Sequence, residues 1–337
     1  MARGYTSGVR PPRVPRGNVR RSGANHRAGG LRSCPSMLAA RGEVLVGKGH
    51  LRWTVAFTSH LWVSIIERRG LVYDSKLVPP ASGRAKDRPC VYLLLEGAWL
   101  CGDGTSISSP HALVAADEHL DGADGARPWC FRAVGEPFSS IEVHLDPTLT
   151  PVRPKDVPFT VALDAGAWAA ARHVREASRR RDDRQLSIAI ATLVRALGAS
   201  SLVNPGLADV VARPTPKPFQ ILWRAVGPIV ERLELRPTVK EVSATTGASS
   251  REVDRFVRAF VSSFGLVGGS WRQASLHWRL KLALLFLSAD GATIAEIAHA
   301  VGYGSADAMT RAFRDAGLPA PSVIQKELTA RAASSAT

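Results

Sequence analysis

Residues 293–316, TIAEIAHAVGYGSADAMTRAFRDA, contain two short helical patterns separated by a glycine-containing turn. The apolar residues at the i, i+3, i+4 and i+7 spacing of the first helix are Ile294, Ile297, Ala298 and Val301. Thr293 and Glu296 have the spacing of a capping box, and Gly302 can adopt the left-handed conformation that ends a helix. The buried stripe of the second helix consists of Met309, Ala312, Phe313 and Ala316. Such a pair of helices predicts a helix-turn-helix, whose second helix enters the major groove of DNA.

The same pattern occurs earlier in the chain. A shift of 55 residues aligns Thr238 with Thr293 and Gly247 with Gly302, so that both segments have a capping box and a turn glycine. With one extra residue in the second turn, an offset of 56 pairs Ser249 with Ser305, Val253 with Met309, Arg255 with Arg311, Val257 with Phe313 and Arg258 with Arg314. The sequence therefore predicts two helix-turn-helix units, joined by a helix over 271–289 that is apolar on two faces.

This double unit resembles the DNA-binding domain of AraC/XylS-type transcriptional regulators. The resemblance rests on IAEIAHAVGYGSADAMTRAFRDAG and on LPAPSVIQKEL at 318–328, where the family usually has a Ser-Pro pair, and it covers about residues 219–328. It implies that a sensing and dimerisation module comes first in the chain and the DNA-binding domain last. The partners it implies are double-stranded DNA and a second copy of the chain, with RNA polymerase as a further candidate.

The outward side of the first recognition helix carries four charged residues by helical spacing: Arg251, Asp254, Arg255 and Arg258. Arginine can donate two hydrogen bonds to a guanine edge, and aspartate can accept one from cytosine. The resemblance implies that Arg251, Asp254 and Arg255 face bases and that Arg258 meets phosphate. For each arginine the alternative is a solvated surface charge.

The second recognition helix departs from the family's pattern of long polar side chains. Its candidate DNA contacts are Ser305, Asp307, Thr310, Arg311 and Arg314. Ala306 and Ala308 lie between them, so we expect the first unit to carry most of the base discrimination, with Arg311 reading a base and Arg314 holding a phosphate. Asp307 has a structural alternative, because a carboxylate in the first turn complements the helix dipole. Thr238 and Thr293 are helix caps. Because helix N-termini also bind phosphate, we expect both residues to lie near the DNA backbone.

The sequence before these units is typical of strands followed by helices. The predicted strands are 53–58, 61–67, 90–95, 112–116 and 141–145, and glycine and proline turns separate them. They favour a small antiparallel sandwich or barrel, which can hold one small ligand. Two helices are predicted over 159–177 and 184–198, and four prolines predict an interdomain linker over 201–218. The fold class is therefore α+β, with a β-rich sensing and dimerisation domain at 37–200 and a double helix-turn-helix domain at 219–330.

The net charge of +15 is concentrated near the N-terminus, where residues 1–50 contain ten Lys and Arg but one Glu. Residues 1–36 are rich in Arg, Gly, Pro and Ser, which predicts a disordered basic tail. No apolar run has the ~18–20 residues of a membrane span. We therefore expect a cytoplasmic protein that does not associate with a membrane.

Enzymatic signatures are absent from the sequence. The four cysteines form no CxxC pair, the histidines of the β region form no HxH or ExxH pair, and no GxSxG, GxGxxG or P-loop occurs. We expect no catalytic residue, metal or cofactor. The favoured interpretation is a sequence-specific transcription regulator controlled by a small ligand in its N-terminal domain. Two alternatives stay open: an enzyme or DNA-repair activity in the β-rich domain, and a DNA-binding dimer without a ligand.

Overall fold

An antiparallel β-sheet organises the first half of the chain in a computed structural model of the protein. The structure describes residues 37–58, 60–74, 89–102, 104–116, 131–145, 159–211, 213–235, 237–266 and 270–334. These residues belong to one compact unit, Pro35–Thr337. The tail predicted over 1–36 lies outside them, and the division into domains at 37–200 and 219–330 stays a prediction.

The described strands all pair antiparallel within a single sheet. They are β1 (Leu38–Val46), β2 (Gly49–Phe57), β3 (Leu61–Arg69), β4 (Tyr73–Asp74), β5 (Pro89–Cys101), β6 (Ser106–Ser108), β7 (His111–Ala116), β8 (Phe131–Leu145) and β9 (Phe159–Ala162). Their order is β1-β2-β3-β8-β5-β7-β9, with β4 paired to β8 and β6 paired to β5. The α+β class is confirmed, and all five predicted strands are present in longer form.

Two edge strands differ from the prediction. Strand β1 was not predicted, because Arg41, Gly42 and Glu43 interrupt its apolar pattern. The glycine is needed in the strand, because a side chain at this position would overlap the indole of Trp53 on β2. The helix predicted from residue 159 is wrong at its start, because β9 occupies 159–162 and pairs with β7. The helix begins after Asp164, whose carboxylate accepts a hydrogen bond of 2.8 Å from the backbone N–H of Ala167.

One face of the sheet is covered by the helices α1 (Ala165–Arg179), α2 (Asp183–Ala199) and α3 (Leu207–Val211). Alternate residues of the central strands, such as Val63, Ile65 and Ile141, pack against Leu186 and Ile190 of α2. The first half of the interdomain linker predicted over 201–218 contains a helix. That part forms α3, and its apolar residues belong to this core: Leu202, Val203, Leu207, Ala208 and Val211. Three of the four prolines lie after α3 and do not interrupt it.

The opposite face of the sheet is covered by the C-terminal helices. They are α4 (Lys217–Glu231), α5 (Val239–Thr246), α6 (Ser250–Phe264), α7 (Trp271–Phe286), α8 (Ile294–Ala300), α9 (Ala306–Asp315) and α10 (Pro321–Ser334). We call α5 and α6 the first unit, α8 and α9 the second unit, and α7 the connector. The first unit packs with α4 against β1 and β2, whereas the second unit packs with the connector against the turn between these strands and its neighbours. The sheet therefore lies between two helical layers.

Candidate functional site

The recognition helix α6 of the first unit has one buried and one exposed side. Its buried residues are Val253, Val257, Phe260, Val261 and Phe264, and its exposed charged residues are Arg251, Asp254, Arg255 and Arg258. The guanidinium of Arg255 lies 5.5 Å from the ring centre of Phe256 and 3.8 Å from the carboxylate of Glu252. Nε of Arg258 donates to the carbonyl of Asp254 at 3.3 Å. All four predicted contact residues thus share one solvent-facing surface.

The recognition helix α9 of the second unit has the same division, with Met309 and Phe313 buried. Two of its predicted contact residues form hydrogen bonds within the helix. The hydroxyl of Ser305 accepts from the backbone N–H of Ala308 at 3.1 Å, and the hydroxyl of Thr310 donates to the carbonyl of Ala306 at 3.0 Å. The remaining predicted contacts are exposed; they are Asp307, Arg311 and Arg314. Ser305 is therefore an N-cap, and the arginines are the long polar groups on this surface.

Capping boxes begin both scaffold helices, as the sequence predicts. Glu241 accepts from the backbone N–H of Thr238 at 2.6 Å, and Glu296 accepts from that of Thr293 at 2.8 Å. A third box joins Ser249 and Glu252 at the start of α6. Because these backbone hydrogen bonds stabilise the charged carboxylates, they lower the pKa of all three glutamates.

The turn glycines of the two units have the predicted left-handed conformation but different surroundings. Gly247 has a φ of 68° and Gly302 a φ of 80°. A methyl group on Gly247 would meet open space, whereas one on Gly302 would overlap the carbonyl oxygen of Leu233. The second turn is therefore packed against the chain that follows α4, and the first is not.

A cavity of about 350 Å³ lies between the sheet and the C-terminal helices. Its sheet wall includes Trp62, Trp99 and Phe138, and its helical wall includes Trp223 and Phe260. The ring of Trp62 stacks on that of His144 at 3.7 Å between centres, so the wall is continuous there. This volume is within the range of small-molecule sites, and so is the mainly apolar lining.

The polar groups of the cavity include two cationic side chains. Arg68 on β3 is buried, and its guanidinium donates to the carbonyls of Leu71 at 3.0 Å and Ala133 at 2.9 Å and lies 4.0 Å from the ring centre of Phe138. Burial lowers the pKa of Arg68 to about 9, so the side chain stays charged at neutral pH. Lys281 lines the cavity from the connector and has no carboxylate partner among the described residues. The carboxylate of Glu142 on β8 also lines the cavity, 3.3 Å from His144. The cavity therefore combines apolar walls with two cationic groups and one carboxylate.

The position of this cavity differs from the expectation of a ligand site inside a β-barrel. It lies on the face of the sheet that the C-terminal helices cover, and residues far apart in sequence line it together. One sequence signal points to it, because the same side of β3 carries Trp62, Ser64, Ile66 and Arg68. A strand side that mixes polar, cationic and aromatic residues is unusual for a tightly packed core.

Neither a metal site nor a membrane span occurs in the part of the chain that the structure describes. His144 lies 3.3 Å from Glu142, and no group of three metal-ligating residues is present among the described residues. His119 lies outside them. In the same part of the chain, no helix combines the length and hydropathy that crossing a bilayer requires.

No protein-family model matches this sequence, and no curated protein matches it. Among solved structures, the fold is similar to apo ToxT from Vibrio cholerae strain SCE256, with a TM-score of 0.34 and 11% identity over 81% of this chain and 99% of that chain. Fatty acid-bound ToxT from the same strain gives 0.32 and 11% over 81% and 97%. The AraC-like transcriptional activator CuxR gives 0.21 and 14% over 88% and 87%. These are distant likenesses.

Proposed function

We propose that this protein is a sequence-specific, DNA-binding transcription regulator of the AraC/XylS type that acts as a homodimer without enzymatic activity. The observation that carries the proposal is the duplicated pair of capped helices, in which the second helix of each pair turns arginines outward and apolar residues inward. Arginines presented on the exposed side of such a helix suit the major groove, where they bond guanine edges and phosphates.

In the proposed complex, the first unit reads bases and the second unit contributes fewer base contacts. Arg251, Asp254 and Arg255 read bases, and Arg258 holds a phosphate. In the second unit Arg311 reads a base and Arg314 holds a phosphate. Ser305 and Thr310 contact phosphates or thymine methyls, and Asp307 lies beside them in the first turn of the helix. The capped N-termini at Thr238 and Thr293 approach phosphates.

The test of DNA reading begins with selection of bound duplexes from a random pool, followed by affinity measurements on the selected site. Arg255→Ala is expected to lose about 1–3 kcal/mol on that site and to relax base preference at one position. Arg195→Ala, which removes an exposed arginine from α2, is the matched control and is expected to bind normally. An equal loss of Arg255→Ala on selected and random duplexes would contradict base reading.

We further propose that a small effector with an apolar body and an acidic group binds in the cavity. The apolar lining supports the first feature. The second is supported by the positive charges of Arg68 and Lys281, which outnumber the carboxylate of Glu142 in the same lining. The probe is 8-anilinonaphthalene-1-sulfonate, an apolar anion whose fluorescence rises in such sites. Lys281→Ala is expected to weaken probe binding about tenfold, and Lys326→Ala on the exposed side of α10 to leave it unchanged. Equal binding by both variants would contradict this assignment.

A further inference from the structure

On its helical side the cavity is bordered by α4, by the recognition helix α6 and by the connector, and the helices of the second unit do not line it. From the first unit, Val257, Phe260 and Val261 line it, all on the recognition helix α6. From the connector, the last lining residue is Leu285. Among the described residues of α8, α9 and α10, none lines this cavity. An occupant therefore contacts one recognition helix directly and not the other.

The residues of α6 that border the cavity lie on the back of the proposed DNA-reading surface. Val257 is buried against the cavity, whereas its neighbour Arg258 is exposed on the other side of the helix. The C-terminal end of α6 is also tied to the cavity wall, because Nε1 of Trp62 donates to the carbonyl of Phe264 at 3.1 Å. A shift of this wall therefore moves the same helix that presents the reading side chains.

The segment that joins the connector to the second unit is attached to the sheet by contacts outside the cavity. Lys48, in the turn between β1 and β2, bonds Asp290 twice, through its backbone N–H at 2.8 Å and its ammonium at 2.6 Å. The backbone N–H of Val72 donates to the hydroxyl of Ser288 at 2.8 Å. Gly47 has a φ of 54°, and a methyl group there would lie 2.5 Å from the carbonyl oxygen of Asp290. The two chain segments are therefore in close backbone contact.

We infer that occupancy of the cavity regulates the first unit selectively and leaves the attachment of the second unit to the sheet in place. A ligand shifts a conformational equilibrium only as far as it interacts differently with the two states. Apart from the sheet, the elements that line this cavity are α4, the end of the first unit and the connector, and none is a helix of the second unit. The effector would therefore change the conformation of the first unit, which is proposed to read bases, while the second unit keeps its position on the sheet. This inference rests on the proposed effector site, and it concerns the protein without DNA.

The test fills the cavity by substitution and follows backbone hydrogen exchange in the full-length protein. Ser140 is buried on β8 and lines the cavity, so Ser140→Phe places a ring in the space of a ligand. Exchange in peptides from 250–264 is expected to change about threefold or more, while peptides from 306–315 change by less than about 1.5-fold. Ser64→Leu, which adds apolar volume to the cavity from β3, is a second filling variant that keeps the test possible if Ser140→Phe does not fold.

The reciprocal variant acts on the other attachment. Gly47→Val introduces backbone strain and a collision with Asp290, and it is expected to change exchange in 306–315 while sparing 250–264. Equal changes in both recognition helices after cavity filling would overturn the inference, because they would show transmission through the connector. No change in 250–264 with either filling variant would also overturn it. DNA selection with the wild-type protein tests the proposed function separately, so the two failures are distinguishable.

Discussion

In the first unit, the buried side of the recognition helix α6 borders a cavity, whereas in the second unit the buried side of α9 is enclosed by a packed core. Phe260 of α6 contacts the rings of Phe57 and Phe219 on one side and the cavity on the other. Phe313 of α9 has no exposed surface and packs among residues of the connector and α10. Two copies of one scaffold therefore have different surroundings, one with space to respond and one without.

The difference extends to the turns and to the outer surfaces. The turn glycine of the first unit faces open space, and that of the second lies against Leu233. The predicted contact surface of the first unit has four charged residues. In the second unit, alanines lie between the predicted contact residues. The unit beside the cavity is thus also the one with more side chains suited to base recognition. This agrees with the proposal that the effector regulates the first unit while the second unit stays in place.

The largest expected losses of stability are those of Phe313→Ala and Phe260→Ala. Phe313→Ala should cost about 4 kcal/mol of unfolding free energy, because it leaves an empty space in a closed core. Phe260→Ala should cost about 3 kcal/mol, because one side of the ring already borders a cavity. Urea unfolding of the full-length protein measures both values. A larger loss for Phe260→Ala would reverse the proposed contrast in packing.

The two turn glycines offer the next contrast. Gly247→Ala should cost about 1 kcal/mol, the price of a left-handed conformation for a residue with a side chain. Gly302→Ala should cost about 3 kcal/mol, because the same strain is joined by overlap with the carbonyl of Leu233. Thermal melting of the pair provides the comparison. Equal losses would mean that the second turn is not packed as described.

The scaffold of these units could be predicted from the sequence because its determinants are local. The capping pairs, such as Thr293 with Glu296, and the turn glycines lie within ten residues of each other, and their geometry depends on local hydrogen bonds between side chains and the nearby backbone. The cavity could not be predicted in this way. Trp62 and Lys281 meet there only after the sheet and the connector pack together. The packing of α3 was missed because the prolines on either side of it suggested a linker, and its apolar residues form a core only together with the sheet and the two preceding helices.

Arg311→Ala compares the second unit with the first at the surface proposed to contact DNA. Arg311 aligns with Arg255, but its neighbours Ala306 and Ala308 supply no further polar contacts. We expect a loss of about 1 kcal/mol on the selected duplex, at the low end of the range for one base contact. Competition binding of Arg311→Ala and Arg255→Ala gives the ratio of their affinities for the selected duplex. A greater loss for Arg311→Ala than for Arg255→Ala would make the second unit the main reader.

The capping boxes should give the smallest effects, and these should be equal in the two units. The pKa of Glu241 and that of Glu296 are lowered from 4.5 by backbone hydrogen bonds, so each stabilises the folded protein when ionised. This contribution is complete above pH 4.5 and is lost as the pH falls through the lower folded-state pKa. Glu241→Gln and Glu296→Gln should therefore lower the melting temperature slightly at pH 7, and the difference from the wild type should shrink toward pH 3.

Glu231→Gln, on the exposed end of α4, is the control for the loss of a surface carboxylate. Because both boxes are fully exposed and have the same geometry, the cavity beside the first unit should not affect them. A larger acid-dependent loss for Glu241→Gln than for Glu296→Gln would show that the difference between the units reaches the start of their scaffold helices. Equal losses would confine that difference to the recognition helices and to the turns before them.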